Sequence, residues 1–206
     1  MKIIFTLFFL TYTIIIFGQA PDIAAIKKNI TDTTGSYFYP KISYQFRLDP
    51  GLLDSIGVQH LYYGKTFLKK TVNVFDEDYV KAMDFWQEKK MDSAAQSAQK
   101  VLLKDPTNLR MLGLIIQVLV KHKPDSRNIY LYKFQAKRVI DCIMSSGDGN
   151  TKDSPYYVAS VPDEYVLLEV LGKSHNNYIR SSQSYKDGIM EVYKKRKERL
   201  YINVVY

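Results

Sequence analysis

The clearest helical pattern in the chain lies in residues 76–123, whose sequence is DEDYVKAMDFWQEKKMDSAAQSAQKVLLKDPTNLRMLGLIIQVLVKHK. An apolar residue recurs there at about every third or fourth position, first at Tyr79, Ala82, Met83 and Trp86. This spacing places apolar side chains along one face of an α-helix. Short polar breaks separate the apolar segments, so we predict consecutive helices that pack against each other as antiparallel hairpins.

Two aspartates mark predicted helix starts in this region. Asp76 precedes the first apolar face, and its carboxylate can cap the N-terminus of a helix. Asp105 precedes Pro106, and proline suits the first turn of a helix because the amide at that position has no intrahelical partner. The sequence therefore predicts that helices begin at both aspartates.

The character of the chain changes at residues 145–150, which read SSGDGN, because glycine and asparagine end helices and turn the chain. Beyond this turn the segments that favour strands are 156–161, 164–171, 178–182, 189–193 and 200–206. We predict one α+β domain over residues 21–206. Its helical part covers about 22–145, and an antiparallel sheet over about 155–206 packs against the helices.

Small residues give the first pair of helices a repeat-like character. Ala82, Ala94 and Pro106 lie twelve residues apart, which resembles the tetratricopeptide repeat, where small residues let two antiparallel helices approach. The chain departs from that pattern at the positions of its aromatic and leucine residues, which are here Asp78, Lys81 and Ala98. We interpret the segment as tetratricopeptide-like hairpins, and a generic helical bundle is the alternative.

The first twenty residues predict export. Lys2 is followed by an apolar run at residues 3–17, and the small-x-small step Gly18-Gln19-Ala20 suits cleavage by signal peptidase. The run is shorter than the roughly 20 apolar residues that a membrane-spanning helix needs. We expect residues 1–20 to be a signal peptide and the product to be periplasmic or secreted. We do not expect a lipoprotein, since no cysteine lies near the predicted cleavage site, and we expect no other segment to be long enough to span a membrane.

Charge is concentrated near the C-terminus. The chain has a formal net charge of +8, and its densest basic run is Lys194, Lys195, Arg196, Lys197 and Arg199. Nucleic-acid binding is not expected, because no recognised binding motif accompanies the run. One interpretation is a solvated hairpin turn whose charges discourage aggregation. The other is contact with an acidic lipid or glycan surface.

The sequence predicts no catalytic residue, no cofactor and no metal site. His60, His122 and His175 lack a second ligand at metal-binding spacing, and no nucleophile elbow or phosphate-binding loop is present. Cys142, the one cysteine, cannot form an internal disulfide, and its helical context favours a small buried hydrophobe. Asp163 and Glu164 are adjacent, so on a strand they would point to opposite faces and would make a poor acid–base pair.

The order of several short segments resembles one family. These segments are Tyr39-Pro40, Leu61-Tyr62-Tyr63-Gly64, Asp105-Pro106, Ser146-Gly147-Asp148-Gly149, Asp163-Glu164-Tyr165 and Leu200-Tyr201-Ile202. Together they resemble the bacterial family named domain of unknown function 4919, over about residues 25–206. The resemblance implies an exported bacterial protein and supplies no activity, cofactor or catalytic residue.

Three functions fit these observations. Paired helices that can present a groove favour a non-catalytic binding or interaction protein of the cell envelope, with another envelope protein as its partner. The first alternative is an envelope hydrolase whose residues come together from distant segments. The second is a binder of acidic lipid or glycan surfaces that uses the run from Lys194 to Arg199. A deep pocket with two ionisable groups of shifted pKa would favour the enzyme, and an apolar groove would favour binding.

Overall fold

A computed structural model describes residues 19–69, 71–186 and 188–205. Residues 1–18 of the predicted signal peptide and Tyr206 of the last predicted strand lie outside these ranges. Helices fill the first part of the described chain, and one more helix interrupts the strands. They are α1 (Ile23–Asn29), α2 (Tyr39–Leu48), α3 (Ser55–Gly64), α4 (Glu77–Gln87), α5 (Met91–Lys104), α6 (Leu109–His122), α7 (Asn128–Met144) and α8 (Val161–Val170). The predicted helical part, about 22–145, is confirmed.

Successive helices from α4 to α7 pack on each other through connections of a few residues. Such short connections reverse the chain direction between neighbouring helices, as the apolar spacing predicted. Asp76 caps α4, because its Oδ1 accepts hydrogen bonds from the backbone N–H groups of Asp78 and Tyr79 at 3.0 and 3.3 Å. The tetratricopeptide-like character and the single-domain organisation stay predictions.

Four strands form one sheet in the order β1-β4-β3-β2: β1 (Tyr156–Val158), β2 (Ile179–Tyr185), β3 (Gly188–Lys195) and β4 (Glu198–Val205). The hairpin of β3 and β4 and the weaker strand β2 are antiparallel neighbours, as predicted. The sheet is nevertheless mixed, so the prediction of a purely antiparallel sheet was wrong. β1 runs parallel to β4, with Tyr156 opposite Ile202 and Val158 opposite Val204.

The segment 164–171 was predicted as a strand, but residues 164–170 belong to helix α8 and Leu171 follows its last turn. Ser160 caps this helix through a 3.3 Å hydrogen bond that its Oγ accepts from the N–H of Asp163. Pro162 and the two acidic residues Asp163 and Glu164 occupy its first turn, where proline and negative charge favour a helix. The apolar residues that follow are few enough to fit either a strand or a helix, so periodicity misled the prediction.

One apolar core reaches from Ile23 in α1 to Val205 in β4 and includes buried residues of the helices and of the sheet. Gly64 at the end of α3 lies where α1 crosses. A Cβ atom there would stand 2.7 Å from Cγ2 of Ile30. Close packing against α1 therefore explains a glycine at this position.

Candidate functional site

A groove runs between α4 and α6 on one side and α8 on the other. Its deep end is a cavity of about 420 Å³, whose lining includes Lys65, Tyr79, Asp105, Val161 and Asp163. A neighbouring cavity of about 580 Å³ shares Tyr79 and Val161 with it. A third of about 280 Å³ shares further lining residues with the second, namely Met83, Arg110 and Glu169. The three cavities therefore form one continuous groove.

The walls of the groove are mainly apolar. They include Val74, Tyr79, Met83, Trp86, Leu109, Leu114, Val161, Pro162 and Val166. Val74 and Val161 are 42% and 40% exposed, so apolar surface faces solvent at the rim of the groove. Arg110 and Glu169 line both the second and the third cavity and are exposed. Neither side chain forms an ion pair or hydrogen bond with another residue in the described ranges.

A buried cluster of three charges closes the deep end. Lys65 Nζ lies 3.1 Å from Asp105 Oδ2 and 3.6 Å from Asp163 Oδ2. The three side chains are at most 6% exposed. They come from the end of α3, the connection between α5 and α6, and the first turn of α8. The cluster thus joins three segments that are far apart in sequence.

Neighbouring polar groups hold the two carboxylates in place. Asp105 Oδ1 accepts hydrogen bonds from Thr107 N and Oγ1 at 3.0 and 2.7 Å. Asp105 was predicted to begin a helix, but Asn108 caps α6 instead, through its Oδ1 and the N–H of Met111. The second oxygen of Asp105 accepts hydrogen bonds from Lys65 Nζ at 3.1 Å and from Asn108 Nδ2 at 3.4 Å.

Tyr62 holds Asp163 from the other side. Its hydroxyl donates to Asp163 Oδ2 at 3.0 Å and accepts from the N–H of Ala159 at 3.1 Å. Lys65 Nζ also lies 4.9 Å from the centre of the Tyr62 ring, within range of a cation–π contact. Every member of the cluster is therefore fixed by at least two contacts.

Burial and neighbouring charges shift the pKa values of Lys65 and Asp163. Burial works to lower the pKa of Lys65, but Asp105 and Asp163 outweigh it and the pKa rises, so the amine stays protonated at neutral pH. Burial raises the pKa of Asp163, and the charge of Asp105 adds to this rise against the opposing effect of Lys65. Two carboxylates share one cation, which makes Asp163 costly to ionise. A protonated amine cannot act as a nucleophile.

A second, partly buried set of ion pairs ties α8 to the sheet. Arg180 Nη2 lies 3.1 Å from Glu164 Oε2, and its Nε lies 3.0 Å from Glu191 Oε2. The Tyr193 hydroxyl donates a hydrogen bond to the other oxygen of Glu164. Burial raises the pKa of Glu164 despite the opposing effects of Tyr193 and Arg180. Asp163 and Glu164, adjacent in sequence, thus serve two separate clusters on different sides of α8.

The predicted anionic contact residues lie elsewhere. Lys194, Lys195, Arg196, Lys197 and Arg199 occupy the tip of the hairpin between β3 and β4. All five side chains are exposed, and none of them lines the groove. The fold therefore keeps the basic run and the groove as separate surfaces.

Cys142 is 6% exposed, as the sequence predicted for a small buried hydrophobe. Burial raises the pKa of its thiol to about 12, outweighing the hydrogen bond with Tyr63. Because the thiolate is the reactive form, we expect negligible labelling of the native protein by a thiol reagent near pH 8 and complete labelling in denaturant. Rapid labelling of the native protein would contradict this assignment.

The described ranges contain no group of three or more histidine, cysteine, aspartate or glutamate residues that could hold a metal ion. No helix within them is long and apolar enough to cross a membrane.

The cluster of Lys65, Asp105 and Asp163 was not predicted. The three residues are far apart in the chain and share no local spacing. One signal was present: Lys65 follows the apolar sequence Leu61-Tyr62-Tyr63-Gly64, and a lysine at the end of a buried helix requires a partner.

Comparisons with known proteins give one finding. Neither the curated proteins nor the solved structures gave a match to the chain. A family model matches residues 24–205, which include the groove, the buried cluster and the basic hairpin. The resemblance noted in the sequence is thereby confirmed: the chain belongs to the family described as Domain of unknown function (DUF4919).

Proposed function

We propose that the protein is a non-catalytic binding protein of the bacterial cell envelope, and that the groove holds an extended peptide segment of another envelope protein. The groove itself carries the proposal. Its walls are mainly apolar, its exposed charges Arg110 and Glu169 have no ion-pair partner within the described chain, and the buried charges at its base contact each other.

An extended peptide suits this combination. Its side chains point alternately to opposite sides, so apolar residues can enter the cavities while charged residues meet the rim. A peptide with an acidic residue for Arg110 and a basic residue for Glu169, on either side of apolar residues, would satisfy both charges. The cavities of about 420 and 580 Å³ are in the size range of sites that hold several side chains or a small ligand.

The proposed location follows from the N-terminal residues. The pattern of residues 1–20 supports export to the periplasm or the medium, without a lipid anchor. A partner would then be met in the envelope. Signal cleavage can be checked by N-terminal sequencing of the exported product, which should begin at Pro21.

A charge swap tests the groove. We expect an array of peptides with one acidic and one basic residue flanking apolar residues to bind the mature chain in one preferred order of charges. The double variant Arg110→Glu with Glu169→Arg should bind the opposite order, since both side chains are exposed and the swap leaves the core intact. An unchanged preference would contradict the proposal.

Blocking variants provide the second arm of this test. Val74→Glu and Val161→Glu place charge on the apolar rim and should weaken peptide binding by about tenfold or more. Val170→Glu is the matched control, because Val170 is 46% exposed on the same helix as Val161 and does not line the groove. Equal losses from the rim variants and the control would assign the binding to another surface.

One observation favours the hydrolase as a second candidate. Lys65 and Asp163 line the deep cavity, and the pKa of each is raised. In this alternative Asp163 would act as a general acid. Hydrolysis of ester, amide or glycoside substrates by the natural protein and its loss in Asp163→Asn would support it. No turnover by the natural protein would leave binding as the function of the groove.

A further inference from the structure

The tip of the β3–β4 hairpin presents an apolar residue and two cations in one row across three strands. The register places Ile179 of β2 opposite Lys194 of β3, and Lys194 opposite Arg199 of β4. Directly opposite residues lie on the same face of a sheet, with strands about 5 Å apart. Ile179 is 76% exposed, so this row places a solvent-exposed aliphatic side chain next to two cations.

Among the five cations of the tip, Lys195 alone lies opposite an acidic residue, Glu198. Glu198 is the one acidic residue in the run 194–199, and it is paired with Lys173. The Tyr178 hydroxyl also donates to Glu198 Oε2 at 3.0 Å. Lys173 and Tyr178 therefore occupy this carboxylate, and Arg196 and Lys197 extend the positive charge around the turn.

Lys194 and Arg199 form a like-charge pair. Like charges directly opposite each other in an antiparallel sheet destabilise the pairing of the strands. No described acidic side chain forms an ion pair with either residue. An anionic surface placed against this face would relieve the repulsion.

We propose that the tip of the β3–β4 hairpin, comprising Ile179, Lys194, Lys195, Arg196, Lys197 and Arg199, docks on a phospholipid bilayer that carries anionic headgroups. Basic side chains around an exposed aliphatic residue match the two layers of such a surface, phosphate outside and acyl chains beneath. A soluble acidic glycan would satisfy the cations and leave Ile179 in water. This surface is separate from the groove and does not depend on what the groove binds.

Vesicle sedimentation tests the proposal with the mature chain. We expect binding to vesicles of phosphatidylglycerol and phosphatidylcholine, weaker binding as salt rises, and little binding to phosphatidylcholine alone. Replacing all five basic residues of the tip with glutamine should lower the partition coefficient by at least about 100-fold, since each contributes about fivefold near an anionic membrane. Ile179→Ser should lower it by about fivefold with the charges intact.

The control variant carries the same change in net charge on other surfaces. Lys41, Lys69, Lys100, Lys121 and Lys133 are exposed and lie outside the tip, and their replacement with glutamine should leave most of the binding. Equal loss in this variant would show that net charge alone attracts the chain to vesicles and would overturn the proposal. Binding to heparin without binding to anionic vesicles, or no effect of Ile179→Ser, would overturn it in favour of a glycan contact. Circular dichroism checks that each variant is folded.

Discussion

Replacing Lys65 with methionine is expected to lower the free energy of unfolding by about 3–5 kcal/mol at neutral pH. The variant keeps the length of the side chain and removes the one cation that Asp105 and Asp163 share. Two carboxylates then remain buried without a counter-charge, and that loss exceeds the contribution of an ordinary ion pair. Urea denaturation followed by circular dichroism measures the difference.

Lys104 offers a matched control. It also meets two carboxylates, Asp76 at 3.0 Å and Asp78 at 2.8 Å, but its side chain is 46% exposed. Lys104→Met should cost about 1 kcal/mol or less, because solvent screens the charges that remain. Similar losses in the two variants would mean that the buried cluster does not stabilise the fold beyond a surface pair.

Asp163→Asn distinguishes the contributions of the two carboxylates, because it removes the charge of Asp163 and leaves that of Asp105. Tyr62 can still donate a hydrogen bond to the side-chain oxygen of the asparagine, and Lys65 keeps its ion pair with Asp105. We therefore expect the free energy of unfolding to change by no more than about 1 kcal/mol at neutral pH. Combined with Lys65→Met, the same substitution should restore part of the free energy of unfolding that Lys65→Met removes. If the double variant is less stable than Lys65→Met alone, Asp163 contributes through something other than its charge.

The dependence of stability on pH follows from the same shifts. The pKa of Lys65 is raised above its ordinary 10.5, so its stabilisation is present below that pH and is lost as the pH rises through the folded value. The pKa of Asp163 is raised above 3.8, so its favourable contribution is present below 3.8 and is lost as the pH rises through the folded value. As the pH rises from acid to neutral, the free energy of unfolding of Asp163→Asn should therefore increase relative to that of the natural protein.

Gly147→Ala is expected to lower the free energy of unfolding by about 3 kcal/mol or more. A Cβ atom at this position would lie 2.0 Å from the backbone oxygen of Pro155 and 2.8 Å from that of Ser154. Backbone cannot rotate away, so the turn between α7 and β1 must open. Opening it strains the hydrogen bond from the N–H of Tyr157 to Ser146 Oγ, which is 2.8 Å long.

Gly113→Ala is the control, since it makes the same substitution where a Cβ atom would meet nothing within 4 Å. Gly113 lies inside α6, where alanine loses less backbone entropy on folding than glycine, so we expect a gain of about 0.5–1 kcal/mol. The two variants should change the midpoint of denaturation in opposite directions. A Gly147→Ala protein as stable as the natural one would show that the turn adapts at little cost.

Local patterns predicted the parts of the fold that local interactions form. The spacing of Tyr79, Ala82 and Met83 identified α4, and Asp76 caps that helix as expected. Alternation in residues 200–206 identified the last strand, and its described part pairs with β3. In each of these cases the residues that form the element are neighbours in sequence, so their pattern carries the information.

The direction of β1 and the nature of α8 lie beyond such patterns. β1 has three residues, and its parallel neighbour β4 follows in the chain only after α8, β2 and β3. In α8 the capping serine and the proline outweigh an apolar run that also fits a strand. A short apolar run does not distinguish the two structures, and the packing of α8 against the core and sheet decides.

By itself the sequence established the helical first part and the strand-rich end of the chain, the family, the exposed basic hairpin and the buried cysteine, since each depends on residues close together in the chain. The tertiary structure decided which charges meet. Lys65, Asp105 and Asp163 are separated by tens of residues, and each has neighbours that predict a different role. Only the tertiary structure brings Lys65 Nζ within 4 Å of both carboxylates, because a buried charge takes its partner from whichever segment the core places beside it.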